Sequence, residues 1–142
     1  MHINKADVRM TARANSASSG VLTETAQLPE EKNMPKFVTI GYGDQAGYDR
    51  TPRAARDMAR EHDASLRRMG ALIGIAGQPV RVRNTDAIRV ETEDGAYMAS
   101  SLPVAGFAVI EAKDLEEAIE MVSKAPCAVA HGVVEVWPLQ DE

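Results

Sequence analysis

From Lys36 to Tyr42 β-forming residues run in alternation, which predicts a first strand. The stretch GYGDQAGYD that follows sets Gly41, Gly43 and Gly47 around two tyrosines and reads as a loop. Thr51-Pro52 reads as a helix start, with Thr51 as N-cap and Pro52 at the first helical position. Beyond it Ala55, Met58 with Ala59, His62, Leu66 and Met69 recur at three- and four-residue spacing, which predicts one buried stripe. Arg53, Arg56, Arg60, Asp63 and Arg67 mostly fall off that stripe, and Gly70 is placed to stop the helix.

Ala71 to Ala76 is short, apolar and bounded by glycines, as a buried strand would be. Val80–Arg83 and Ile88–Thr92 alternate strictly around Asn84-Thr85-Asp86, which predicts a hairpin with one wet face. Val104 to Ala112 is a largely apolar strand interrupted by Gly106. Asp114 is an N-cap for a second helix, with Leu115, Ala118, Ile119 and Val122 as its buried stripe and Glu116, Glu117 and Glu120 facing water. Ala125-Pro126 ends that helix, and Gly132 to Leu139 forms the last strand.

The order is β-α-β, an inserted hairpin, then β-α-β. That is an α+β chain, and two split βαβ halves predict a ferredoxin-like antiparallel sheet with both helices on one face. In the last strand Val133, Glu135, Trp137 and Leu139 share one face, and Val134 and Val136 the other. Bulky apolar groups on both faces exceed what helices on one side can cover. The expectation is a homodimer joined through the open sheet face.

Residues 1–34 are polar, rich in Ser, Ala and Thr, and without sustained periodicity. They read as an arm ahead of a domain over 35–142. Three readings stay open: a floppy tail, an arm that docks on a partner subunit through Val21-Leu22 and Leu28, or a true start at Met34. Length bounds the rest to one domain, since 142 residues suffice for one ordinary core. A formal charge of −5 argues against nucleic acid or an anionic membrane as partner. One cysteine, Cys127, excludes an internal disulfide and suits a reducing compartment. No apolar run approaches a membrane span or a secretory signal core. A cytoplasmic location is the expectation.

Candidate chemistry is sparse. His62 lies on the apolar stripe of the first helix, where it is either a hydrogen-bonded core residue or a general base beside a pocket between helix and sheet. His131, in the loop before Gly132, is either an exposed loop residue or a second polar group at the mouth of that cavity. Asp44 is a turn former, or the carboxylate that orients a histidine. Tyr42 and Tyr48 flank the same loop, and Tyr97 and Trp137 could stack on an aromatic ligand or pack at an interface. The GYG segment lacks the signature of a phosphate loop, three histidines and one cysteine show no metal-ligand spacing, and GxSxG is absent. Neither cofactor nor metal is expected.

Six segments stand out together: VTIGYGD at 38–44, LRRMGALIGIAG at 66–77, VRVRNTD at 80–86, DG at 94–95, GFAVIEAKDLEEAIEM at 106–121 and APCAVAHGVVEVWP at 125–138. In this order they resemble the YCII-related family in its DGPF-type subgroup. The resemblance implies a dimeric α+β barrel of ferredoxin-like fold. The subgroup's own DGPF resembles Asp94-Gly95-Ala96-Tyr97. Its usual glutamate, lysine and arginine correspond to Ala99, Ser101 and Trp137. The family aspartate before proline corresponds to Ala125, and the family histidine lies about a turn before His62, so the His–Asp pair is not reproduced. These losses favour a non-catalytic domain that binds a small organic ligand or a protein partner. The alternative is a cofactor-independent acid–base enzyme using His62, oriented by Asp44 or His131.

Overall fold

The computed structural model describes residues 34–141; apart from Met34, the arm and its apolar Val21, Leu22 and Leu28 lie outside the described residues. The element order is β1 (Lys36–Tyr42), α1 (Gln45–Arg50), α2 (Arg53–Arg68), β2 (Leu72–Ile75), β3 (Val80–Arg83), a single 3₁₀ turn, β4 (Glu91–Asp94), β5 (Val104–Glu111), α3 (Leu115–Ser123), α4 (Pro126–Val129) and β6 (Val133–Leu139). The fold is mixed α+β. Four strands form an antiparallel sheet in the order β2-β5-β1-β6, and β3 and β4 pair separately as a hairpin. No helix among the described residues is long and apolar enough to cross a membrane.

Cross-strand register sorts the side chains onto two faces. Phe37, Thr39 and Gly41 of β1 stand opposite Ile110, Ala108 and Gly106 of β5 and Pro138, Val136 and Val134 of β6. This face meets the helices. Phe37 and Ile110 are buried there with Ala112, Ala118 and Val122, while Ala59 and Leu66 are the buried residues of α2. The other face carries Val38, Ile40, Phe107, Val109, Leu72 and Trp137, and among the described residues no helix covers it. Leu72, Phe107 and Trp137 are exposed at 72%, 49% and 56%, respectively.

Several local expectations are corrected. The glycine-rich segment after β1 contains a helix, α1, because Asp44 caps it by accepting the Gly47 amide at 2.9 Å. Thr51 is not the N-cap of α2. Its hydroxyl donates backwards to the Gly47 carbonyl at 2.8 Å and its amide to the Tyr48 carbonyl, so it closes α1, and Pro52 precedes α2 without a side-chain cap. Met58 and Met69 are 74% and 72% exposed, so the buried line of α2 runs instead through Ala59 and Leu66. In α3 the buried positions are Ala118 and Val122, with Leu115 and Ile119 left outside.

The hairpin also moves. β3 pairs with Glu91–Asp94, not with a strand starting at Ile88, because Asp86 and Ala87 take left-handed φ of 57° and 60° and lengthen the connection. One stop and one start hold as expected: Gly70 has φ 105° after α2, and at the start of α3 Asp114 accepts the Glu117 amide while Glu117 accepts that of Lys113. Gly106 interrupts β5 for a spatial reason. A Cβ there would come 2.7 Å from the Gly74 carbonyl oxygen of β2.

Candidate functional site

Between α2 and the helix-facing side of the sheet lies a cleft of about 350 Å³. Its walls are mostly apolar, with Leu66 and Ala59 from α2, Ile73 and Ile75 from β2, and Val129 and Val134 from the C-terminal elements. The polar lining is short. Arg56, Arg60, Asp63 and Arg67 project from α2, Tyr48 from α1, Thr39 from β1 and Cys127 from α4. Helical spacing explains the α2 group: positions 56, 59, 63 and 66 follow one another by three or four residues and share one face. Arg56 and Asp63 therefore sit on the buried line. The sequence expectation had put the charged residues of this helix mostly off it, and the structure corrects that.

Each polar group has a distinct environment. The Arg56 guanidinium stacks over the Tyr48 ring, 4.5 Å from its centroid, and its Nε is buried without an acceptor. A buried donor left unpaired costs about 1–3 kcal/mol. Arg60 donates to the Tyr48 hydroxyl at 2.8 Å and lies 3.8 Å from Asp57. Burial pushes the Asp63 carboxyl pKa up, and neighbouring Arg67 and His62 pull it back in part. The Cys127 thiol is likewise raised, chiefly by burial and then by Asp63, so it stays protonated at neutral pH and is a poor nucleophile. It packs against β1, where a Cβ at Gly41 would lie 2.8 Å from its Sγ.

Of the residues singled out in the sequence, Tyr48 lines the cleft, while His62, Asp44, His131, Tyr42, Tyr97 and Trp137 fall elsewhere. His62 faces α3 and its Nε2 donates to the Met121 carbonyl, an inter-helix bond of the structural kind. Asp44 is occupied by its capping role in α1. His131 has a left-handed φ of 65° and is exposed. Asp44 and His131 are neighbours: the Asp44 Oδ1 and the His131 Cβ both lie 3.3 Å from where a Cβ on Gly47 would stand. None of the three lines the cleft.

Tyr42 and Trp137 are brought together on the open sheet face. Both donate to Glu135 Oε1, the Tyr42 hydroxyl at 2.9 Å and the Trp137 indole nitrogen at 3.2 Å. Donating to a carboxylate holds the phenolic proton, so the Tyr42 pKa is raised, with desolvation and the charge of Glu135 acting the same way. Tyr97 is apart from them. It lies at the β3–β4 hairpin, with the Arg83 guanidinium 5.8 Å from its ring centroid. The three aromatic candidates therefore do not form one site.

What sequence reading missed is the set on α2. The available signal was the seven-residue step from Arg56 to Asp63 beside the parallel step from Ala59 to Leu66. No protein-family model matches this chain, and no curated protein matches it.

Proposed function

We propose that this chain is a YCII-like domain that pairs as a homodimer and binds a small organic molecule in the cleft between α2 and the sheet, without catalysing its conversion. The cleft is the observation that carries the reading. It is concave, mainly apolar and furnished with few polar groups, the composition of small-molecule sites, and its volume stands at the lower end of their range of roughly 300–1,000 Å³. Support for the ferredoxin-like assignment comes from the antiparallel order β2-β5-β1-β6, the order expected of two interlocked split βαβ units. Support for the dimeric α+β barrel comes from the uncovered apolar face, since a monomer seldom leaves a broad patch of that kind in water.

The acid–base enzyme reading centred on His62 has less behind it. A general base needs a free ring nitrogen facing the substrate, whereas His62 turns its Nε2 to Met121 on α3 and is not part of the cleft wall. Cys127, the one thiol in the cleft, is held protonated.

The test is an amide NMR titration with 4-phenylbutan-1-ol, an uncharged apolar probe. Shifts concentrated at Ala59, Gly106 and Cys127 are expected. Shifts confined to the open sheet face, or no saturable shifts, would overturn the assignment of the cleft as the binding site.

A further inference from the structure

Three of the polar side chains lining the cleft are guanidinium groups and one is a carboxylate. Arg60 is already engaged by Tyr48 and Asp57, but among the described residues neither Arg56 nor Arg67 has a carboxylate within ion-pair distance. Arg56 is also held in place: its plane lies on the Tyr48 ring and its Nε is desolvated without an acceptor. A guanidinium fixed in a largely apolar wall is preorganised for an anion, because the ordering and part of the dehydration precede binding. Asp63 lies within coulombic reach of Arg67 but closes no ion pair with either arginine, so three guanidinium groups face one carboxylate. Opposite the arginines, Ile73, Ile75 and Val134 offer no hydrogen bond from their side chains and suit a hydrocarbon body.

From this arrangement we infer that the cleft is selective for a monocarboxylate with an apolar body, the carboxylate meeting Arg56 and the body lying along the sheet. Arginine is the side chain suited to this task, since its planar fork matches the two oxygens of a carboxylate. The inference rests on the small-molecule reading of the cleft and adds the charge class of the ligand.

The experiment compares 4-phenylbutyrate with 4-phenylbutan-1-ol by calorimetry on the full chain, with amide NMR to locate each probe. The carboxylate is expected to bind at least about tenfold more tightly than the alcohol, both at the cleft. Arg56→Gln should bring the carboxylate down to the affinity of the alcohol and leave the alcohol unchanged. Equal affinities for the two probes on the native protein overturn the inference while leaving the cleft as a small-molecule site. Binding of neither probe at the cleft overturns both readings. Should Arg56→Gln fail to fold, the two-probe comparison on the native chain decides alone, and Arg56→Lys, which keeps the charge and loses the planar fork, provides the second variant, with a smaller loss for the carboxylate only.

Discussion

Asp63 shows how one charged residue can be held on a buried helix line. Its carboxyl pKa lies above the ordinary 3.8, first because burial penalises the ion, with Arg67 and His62 opposing. A raised folded-state pKa means that the stabilising contribution is fully present below the unfolded value and is lost as pH rises through the folded one. At neutral pH the ionised side chain is therefore a net cost. Asp63→Asn should raise the urea midpoint at pH 7, and the gain should vanish below pH 3.8, where the native carboxyl is protonated as well. A lower midpoint at pH 7 would mean that the pairing with Arg67 outweighs desolvation. This residue also marks the limit of what the sequence disclosed. Arg56 and Asp63 share the helical phase of Ala59 and Leu66, so their position was legible, but their charge argued for solvent and masked it. What placed them in a wall was the stacking of Arg56 on Tyr48, a contact between helices that no spacing rule announces.

At the scale of elements, starts and stops encoded by side-chain chemistry were legible, and those set by competition between neighbours were not. Asp114 and Gly70 act alone, and both are where the sequence put them. Thr51 had two helices to serve and its hydroxyl went to the earlier one. Ile88 and Val90 are good β-formers, yet left-handed Asp86 and Ala87 carry the chain past them before pairing begins. His62 is an element-level residue in the same sense, tying α2 to the last turns of α3. His62→Ala should lower stability by about 0.5–1.5 kcal/mol in denaturant unfolding, the usual net worth of one such bond. The control is Met58→Ala, at a position 74% exposed on the same helix. Equal losses from the two would remove the inter-helix role.

For the whole molecule, the decisive contrast is between the two faces of the sheet. One is covered by α2 and α3 and contains the core; the other exposes Leu72 on β2, Phe107 on β5 and Trp137 on β6, with Val38 and Ile40 of β1 between the last two. The alternation in β6 made this asymmetry readable in the sequence, because apolar residues on both faces of a strand need cover on both. Phe107→Asp places a charge in the middle of the open face without touching the helix side. Light scattering should find the native chain at twice its monomer mass and the variant at the monomer mass. A native monomer at micromolar concentration would refute the pairing, and with it the dimeric-barrel assignment.

The link from Trp137 to Glu135 has an optical consequence. Trp137 is the only tryptophan in the chain, and its indole nitrogen is bonded to a carboxylate on the face that a second copy would cover. Its emission is thus an intrinsic gauge of that surface. A wavelength shift on dilution would record separation of the subunits, while events in the cleft, on the opposite side of the sheet, would leave the colour of the signal unaltered.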